Sequence, residues 1–391
     1  MKKFLATISA VMLHLAIGSI YAWSIIIDAV HSLHGWSIPS MIIVFGITIF
    51  CLGMTASFFG NKVKNAHPGK MCTLVFILFL SGMILSSVAV EHAIFPLLVF
   101  SYGILLGIGT GIGYLLPIPI LMTWYSRFRG IASGLVITGF GFSSLITSYG
   151  YHWCIITIGI DEALLIVGTA LSFLIIPSIF FLRPNPVASK EVTEKQVGHL
   201  ENPFSSRSFR YLWILFFINI SVGLSVISCL APMTKELFHV DIFEVVALVG
   251  LAGLVNGCAR FCWSALSDFI GRPITVALLI VFELVAILSI MYFNSYDAYR
   301  FCILVIISCY GGMFAIMPSY IADLFGTVKV KPVFGLMLSA WGFAGLIAPV
   351  VLRFLYECWG SYSHFFYGML VLCCINFFIT IALTERNINK I

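Results

Sequence analysis

Val246-Ala-Leu-Val-Gly-Leu-Ala-Gly-Leu-Val-Asn256-Gly-Cys-Ala-Arg260-Phe-Cys-Trp263 reads as one unbroken apolar helix with a single charge, at Arg260. The fold follows from asking where such a stretch is stable. A helix needs about 20 apolar residues to cross roughly 30 Å of hydrocarbon. Runs of that length recur twelve times, over 4–27, 37–59, 71–90, 94–120, 131–149 and 160–182, then over 210–232, 242–266, 273–293, 298–322, 333–356 and 362–384. With 61% of residues apolar and 9% charged, this chain of 391 residues carries more apolar surface than a water-soluble core can hide. The expectation is an all-α membrane protein of twelve transmembrane helices, with the lipid bilayer as its solvent.

Basic residues set the orientation. Of the 21 lysines and arginines, seventeen fall on one side of the alternating spans, and three, Lys235, Arg300 and Arg353, on the other. The positive-inside rule then places both termini in the cytoplasm of a multi-pass protein of the cell (inner) membrane. The formal charge of +5 reflects this skew and gives no reason to invoke nucleic acid. Lys2 and Lys3 precede an apolar run too long for a secretory signal, so the first run is read as a span. The eleven cysteines are scattered without a CxxC pair, which supports no redox or metal role and reads as packing.

The chain also repeats itself. Pro117 and Pro318 are 201 residues apart, as are Gly134 and Gly335, and Gly69 and Gly271 are 202 apart. In both halves a proline-bearing fourth span leads to a basic loop and a glycine-bearing fifth span. Two pseudo-symmetric six-helix bundles, 1–186 and 209–391, are therefore expected, joined by a cytoplasmic linker over 187–208. Parallel repeats of this kind place substrate at their interface near the midplane and work by rocking about it.

Twelve spans, the polar central stretch and Ser267-Asp268-Phe-Ile-Gly271-Arg272 between spans eight and nine resemble the major facilitator superfamily. More narrowly, Tyr21-Ala-Trp-Ser24, Trp124-Tyr-Ser-Arg-Phe-Arg-Gly130, Asn256-Gly-Cys-Ala-Arg260, Met317-Pro-Ser-Tyr-Ile-Ala-Asp-Leu-Phe-Gly326 and Ala340-Trp-Gly342 resemble the oxalate/formate antiporter family, which neighbours the monocarboxylate transporters. The resemblance implies transport of a small organic anion, with the span-eight arginine, Arg260, binding a carboxylate. Two departures stand out. The loop from Gly60 to Lys70 lacks the acidic residue usual there, and span eleven has no basic residue before Arg353, where the oxalate exchangers carry a second buried cation, a lysine.

The residues themselves support an anion site at Arg260. A guanidinium stays charged, and burying one at a bilayer centre costs roughly 2.5 to 3.5 kcal/mol on insertion scales. Helical side chains lean toward the helix N-terminus, which directs this one toward the midplane. Asn256 and Ser264 lie one turn away on the same face, a polar stripe suited to a cavity wall. Tyr21, Trp23, Tyr310 and Trp341 are candidate walls that would exclude water and strengthen the charge; ordinary packing is the competing reading for each.

Two ionisable groups sit at similar depth. Glu283 in span nine is a proton-carrying candidate, since a carboxyl there either pairs with a cation or keeps its proton; a packed neutral acid is the alternative. His14 in span one is a candidate substrate or proton ligand, against a hydrogen-bonded structural role. The glycines at 103, 107 and 111, and at 130 and 134, are expected to let helices approach closely. The run Gly107-Ile-Gly-Thr-Gly-Ile-Gly113 lies inside a span, which argues against a nucleotide loop.

The expected function is secondary transport of a small carboxylate by a monomer, as exchange or proton symport, without cofactor or metal. One buried cation in place of two favours a monocarboxylate such as formate, lactate or pyruvate over oxalate. An oxalate or other dicarboxylate exchanger, or a carrier for a different small solute, is the alternative reading, ahead of the two other classes, a membrane anion sensor and a membrane enzyme. The chain has neither an HExxH zinc motif nor a GxSxG elbow.

Overall fold

In the computed structural model, the residues described are 1–62, 67–125, 129–186, 203–293, 295–326 and 329–388. Most of the expected linker, together with Lys64, Arg127, Lys190, Lys195 and Lys390 of the basic count, lies outside them. The described residues form long helices, here α1 (Lys2–His34), α2 (Ile38–Lys62), α3 (Pro68–Glu91), α4 (Phe95–Leu121), α5 (Arg129–Ile158) and α6 (Ile160–Phe181). There follow α7 (Arg207–Phe238), α8 (Ile242–Ile270), α9 (Arg272–Tyr292), α10 (Tyr296–Phe325), α11 (Val330–Trp359) and α12 (Tyr362–Ile388).

Among the described residues, eleven helices are long and apolar enough to cross a membrane. Helix α5, with 30 residues, is also long enough to cross. Its Ser143, Ser144, Thr147 and Ser148 are buried, and it packs most heavily on α8 and α1.

Burial has a period of three helices. In the most apolar window of each span, 89% of α7 and 83% of α1 is buried, against 33% of α6 and of α12 and 39% of α9. Helices α1, α4, α7 and α10 thus form the centre, and α3, α6, α9 and α12 turn large apolar side chains such as Phe173, Phe282 and Phe378 outward, as a lipid-facing layer does. The first six helices meet the last six mainly along α2 on α11 and α5 on α8.

Glycines set these seams. A Cβ on Gly141 would lie 2.6 Å from the Gly257 Cα, and one on Gly53 would lie 2.6 Å from the Gly342 Cα. Within the first six helices, Gly107 and Gly111 bring α4 onto α2, where a Cβ would meet the Thr48 and Leu52 carbonyls at 2.7 and 2.5 Å. The expectation for Gly134 is corrected: among the described residues a Cβ there meets nothing within 4 Å, because α5 makes its close approaches one and two turns later, at Gly139 and Gly141.

Helices α1, α4 and α7 are each irregular. Gly18–Ala22 tightens to a 3-10 turn, Val99–Leu106 widens to a π-helix, and α7 breaks its regular dihedrals at Cys229 (φ −127°, ψ 15°), three residues before Pro232. Such irregularities release backbone groups and redirect side chains. Those in α1 and α7 flank the centre of the molecule.

Candidate functional site

Arg260 is completely buried on α8. Its Nε donates to Asn256 Oδ1 at 3.3 Å, one turn earlier, while Nη1 and Nη2 complete no well-formed hydrogen bond among the described residues, although the Tyr21 and Tyr114 hydroxyls stand close enough to interact with the guanidinium. The guanidinium forms none of the ion pairs found there. A buried, permanently charged group with two idle donors is costly unless an anion completes it.

Aromatic rings close around it. The guanidinium carbon lies 5.1 Å from the Phe314 ring centroid and 5.9 Å from that of Phe140. From Phe140 the wall continues through Tyr114 (5.4 Å), Trp341 (5.1 Å from Tyr114), Phe314 (4.7 Å), Tyr310 (5.2 Å) and Tyr21 (6.1 Å), and returns to Phe140 (5.0 Å). Helices α1, α4, α5, α10 and α11 each supply part of this cage, so it is assembled from both halves of the chain. The rings are fully or almost fully buried, and this low-dielectric surround strengthens any charge pair formed inside it.

More idle polar atoms accompany the guanidinium. Tyr114 Oη, Trp341 Nε1 and His14 Nε2 are buried without hydrogen-bond partners among the described residues. His14 packs edge-on against Tyr114 at 5.2 Å and against Phe140 at 6.3 Å. Together they line the cage with a fork of positive charge, two neutral donors and one imidazole nitrogen.

The structure therefore brings Arg260, Asn256, Tyr21, Tyr310, Trp341 and His14 together. It places Trp23 elsewhere: its Nε1 donates to the Met41 carbonyl at 2.9 Å and its ring lies 4.1 Å from Tyr102. Residues two apart on a helix point to different sides. Glu283 is also distant in kind. It is fully buried on peripheral α9, where its Oε2 accepts from Asn219 Nδ2 of α7 at 3.1 Å. Ser221, Ser225 and Ser228 donate to carbonyls of their own helix, which satisfies them without a ligand.

Three wall residues escaped the sequence reading: Tyr114, Phe140 and Phe314. For Phe140 a signal existed. It stands between Gly139, seated on the α1 backbone (Val11 O, 2.8 Å), and Gly141, seated on α8. A large side chain between two such seats is forced into the space where those helices part.

On the side of the cage away from the N-terminus, the Tyr21 and Tyr310 hydroxyls hydrogen-bond to each other, joining α1 to α10. Beyond them is a cavity of about 10 Å³, bordered by Ile227, Leu230, Val249, Ala252, Gly253 and Ile307, with room for about one water. Farther out, Lys235 Nζ of α7 contacts Asp28 Oδ2 of α1 at 3.0 Å. The neighbouring Glu236 instead bonds within the last six helices: Tyr362 Oη donates to it at 2.8 Å, and Arg353 lies 3.5 Å away.

The Asp28–Lys235 pair is partly exposed, so its worth is at most about 1 kcal/mol. Asp28→Asn is expected to raise the labelling rate of a Leu230→Cys reporter by an impermeant thiol reagent no more than about fivefold. An unchanged rate would show that the pair does not hold this end closed.

Comparison with known proteins agrees with the architecture. The family model described as Major Facilitator Superfamily matches residues 4–327. This chain belongs to the major facilitator superfamily. This facilitator is 22% identical over 354 residues to the uncharacterized MFS-type transporter YhjX of Escherichia coli (strain K12), covering 88% of this chain and 86% of that protein. It is 25% identical over 252 residues to the oxalate:formate antiporter of Oxalobacter formigenes, covering 60% and 57%. A shorter match, 32% over 100 residues, is to apicoplast pyruvate carrier 2 of Toxoplasma gondii, covering 25% of this chain and 15% of that one. The facilitator is thus a multi-pass membrane protein whose relatives are transporters.

Proposed function

We propose that this facilitator carries a small monocarboxylate by alternating access, with Arg260 as the binding cation. The observation that carries the reading is the pair of idle guanidinium nitrogens inside a closed aromatic cage. A carboxylate matches that fork in charge and in bidentate geometry. Tyr114 Oη and Trp341 Nε1 are placed to donate to further oxygens, and the aromatic walls suit a short organic anion. Relatives named for oxalate, formate and pyruvate transport are in keeping with this class.

In this reading, residues 1–186 and 209–391 are the two rocking bundles, 187–208 links them, and both termini face the cytoplasm of the inner membrane. The carrier works as a monomer. A carboxylate on Arg260 neutralises the charge, so closing the cage over the complex costs less than closing it over a bare cation. Tyr21, Tyr310 and Asn256 position the walls and the guanidinium.

A single cation also sets a preference. A dicarboxylate would bring a second charge into a cage whose remaining donors are neutral, whereas Arg353 is engaged with Glu236, Glu357 and Tyr362. In proteoliposomes, formate, lactate or pyruvate is expected to exchange at least tenfold better than oxalate at equal concentration, about 1.4 kcal/mol of discrimination. Tight oxalate exchange with no monocarboxylate flux would overturn the preference. The absence of counterflow for every short carboxylate would overturn the carrier reading itself.

A further inference from the structure

We propose that Glu283, Asn219 and Asn376 hold a small monovalent metal cation, of the sodium class, between α7, α9 and α12. The site lies outside the aromatic cage and does not depend on the carrier reading above.

Glu283 is the single acid of α9 and is completely buried. The Asn219 amide of α7 turns its nitrogen to Oε2, donating at 3.1 Å. An ionised carboxylate only accepts, so this is the amide orientation that an anionic acid selects. It leaves Asn219 Oδ1 idle, and Glu283 Oε1 is idle as well among the described residues. Glu283 takes part in none of the ion pairs found there.

Helix α12 brings a third oxygen to this place. Cys373, whose thiol reaches the Glu283 carboxylate, is followed on the same face of the helix by Asn376 and Thr380. All three are buried, while Val371, Ile375 and Phe378 point outward from the same helix. Thr380 donates to the Asn376 main-chain carbonyl, but the Asn376 side chain has both Oδ1 and Nδ2 idle among the described residues. Helix α12 packs against both α7 and α9, which sets this polar row beside the acid. A buried polar row on a helix of the lipid-facing layer is costly unless something engages it.

Charge and ligand type name the occupant. Three idle oxygens from three helices, one of them a carboxylate oxygen, call for a positive partner. A proton on Oε1 could donate to one amide oxygen and would leave the other unengaged, whereas a metal ion takes all three. One carboxylate balances one positive charge, so a divalent ion would leave excess charge in a low-dielectric interior. Carboxylate and amide oxygens are hard ligands, and the neighbouring Cys309 and Cys373 thiols are too soft to compete for such an ion. Bound there, the cation ties central α7 to two outer helices.

The test uses purified full-length protein in sodium chloride against choline chloride at equal ionic strength. The wild-type melting temperature is expected to rise saturably with sodium, by about 3 °C or more at a hundred times the half-saturating concentration. Glu283→Gln is expected to lose this rise and Asn376→Ala to weaken it. Equal wild-type melting in the two salts would overturn the site, and so would an undiminished sodium effect in Glu283→Gln. Because Glu283→Gln can fail to fold, a second measurement uses wild type alone: radioactive sodium should bind saturably at one ion per chain. No saturable binding would overturn the proposal, as would an infrared carboxylic-acid band that saturating sodium leaves in place and Glu283→Gln removes, since that band reports a proton on the acid. Each of these outcomes leaves the Arg260 cage and the carrier reading standing.

Discussion

Arg260→Gln abolishes carboxylate binding and leaves the helices assembled. The substitution removes two idle, charge-bearing donors, and hydrogen bonds to charged groups contribute about 1.5 to 3 kcal/mol each, so affinity falls by at least roughly a hundredfold. Folding is spared for a physical reason. The guanidinium forms no ion pair among the described residues, so deleting its charge strands no buried carboxylate there. Glutamine keeps much of the length and can still reach Asn256. The measurement is the melting-temperature shift produced by formate, lactate and pyruvate on the two proteins. Shifts of equal size in the variant would remove Arg260 from the site. Arg260→Lys is the finer probe, since it retains the charge without the planar fork and should recover only part of the affinity.

Gly141→Val is expected to reduce transport at least tenfold with little effect on expression. At this position backbone meets backbone: a Cβ would stand 2.6 Å from the Gly257 Cα and 2.7 Å from its nitrogen, atoms that no rotamer change can move aside. The cost falls on the α5–α8 seam, one residue from Phe140 of the cage wall and three from Arg260. A conformation in which the seam opens accommodates the valine, so the substitution biases the carrier away from the closed arrangement instead of unfolding it. Gly134→Val on the same helix is the control, since a Cβ there meets nothing within 4 Å among the described residues, and its transport should remain within about twofold of wild type. Equal losses in the two variants would show that the seam has no special part in the cycle.

The sequence carried the membrane helices plainly because length and apolarity are local properties. Arg260 was legible for the same reason: a permanent charge inside an apolar run is visible without knowing its neighbours. The cage walls were harder. A chain with 15% aromatic residues offers dozens of rings, and which of them meet is settled by helix crossings many residues apart in sequence. Tyr114 and Phe314 differ in nothing local from rings that face lipid, and only its flanking glycines set Phe140 apart. Trp23 shares a cavity-lining span with Tyr21, yet two positions of helical rotation carry it to Tyr102 and the Met41 carbonyl. The depth of Glu283 was readable, whereas its orientation toward Asn219 depended on how α9 lies against α7.

Lys235 and Glu236 are successive residues that tie the end of α7 to different neighbours. The lysine reaches an aspartate in contact with water, while the glutamate is knotted to a tyrosine and an arginine that is only 5% exposed. In the proposed rocking, the wetted tie yields first, and the tip of α7 moves as one body with α11 and α12. Raising ionic strength weakens only that outer tie. The ease of opening is thereby separated from the cohesion of the piece that moves.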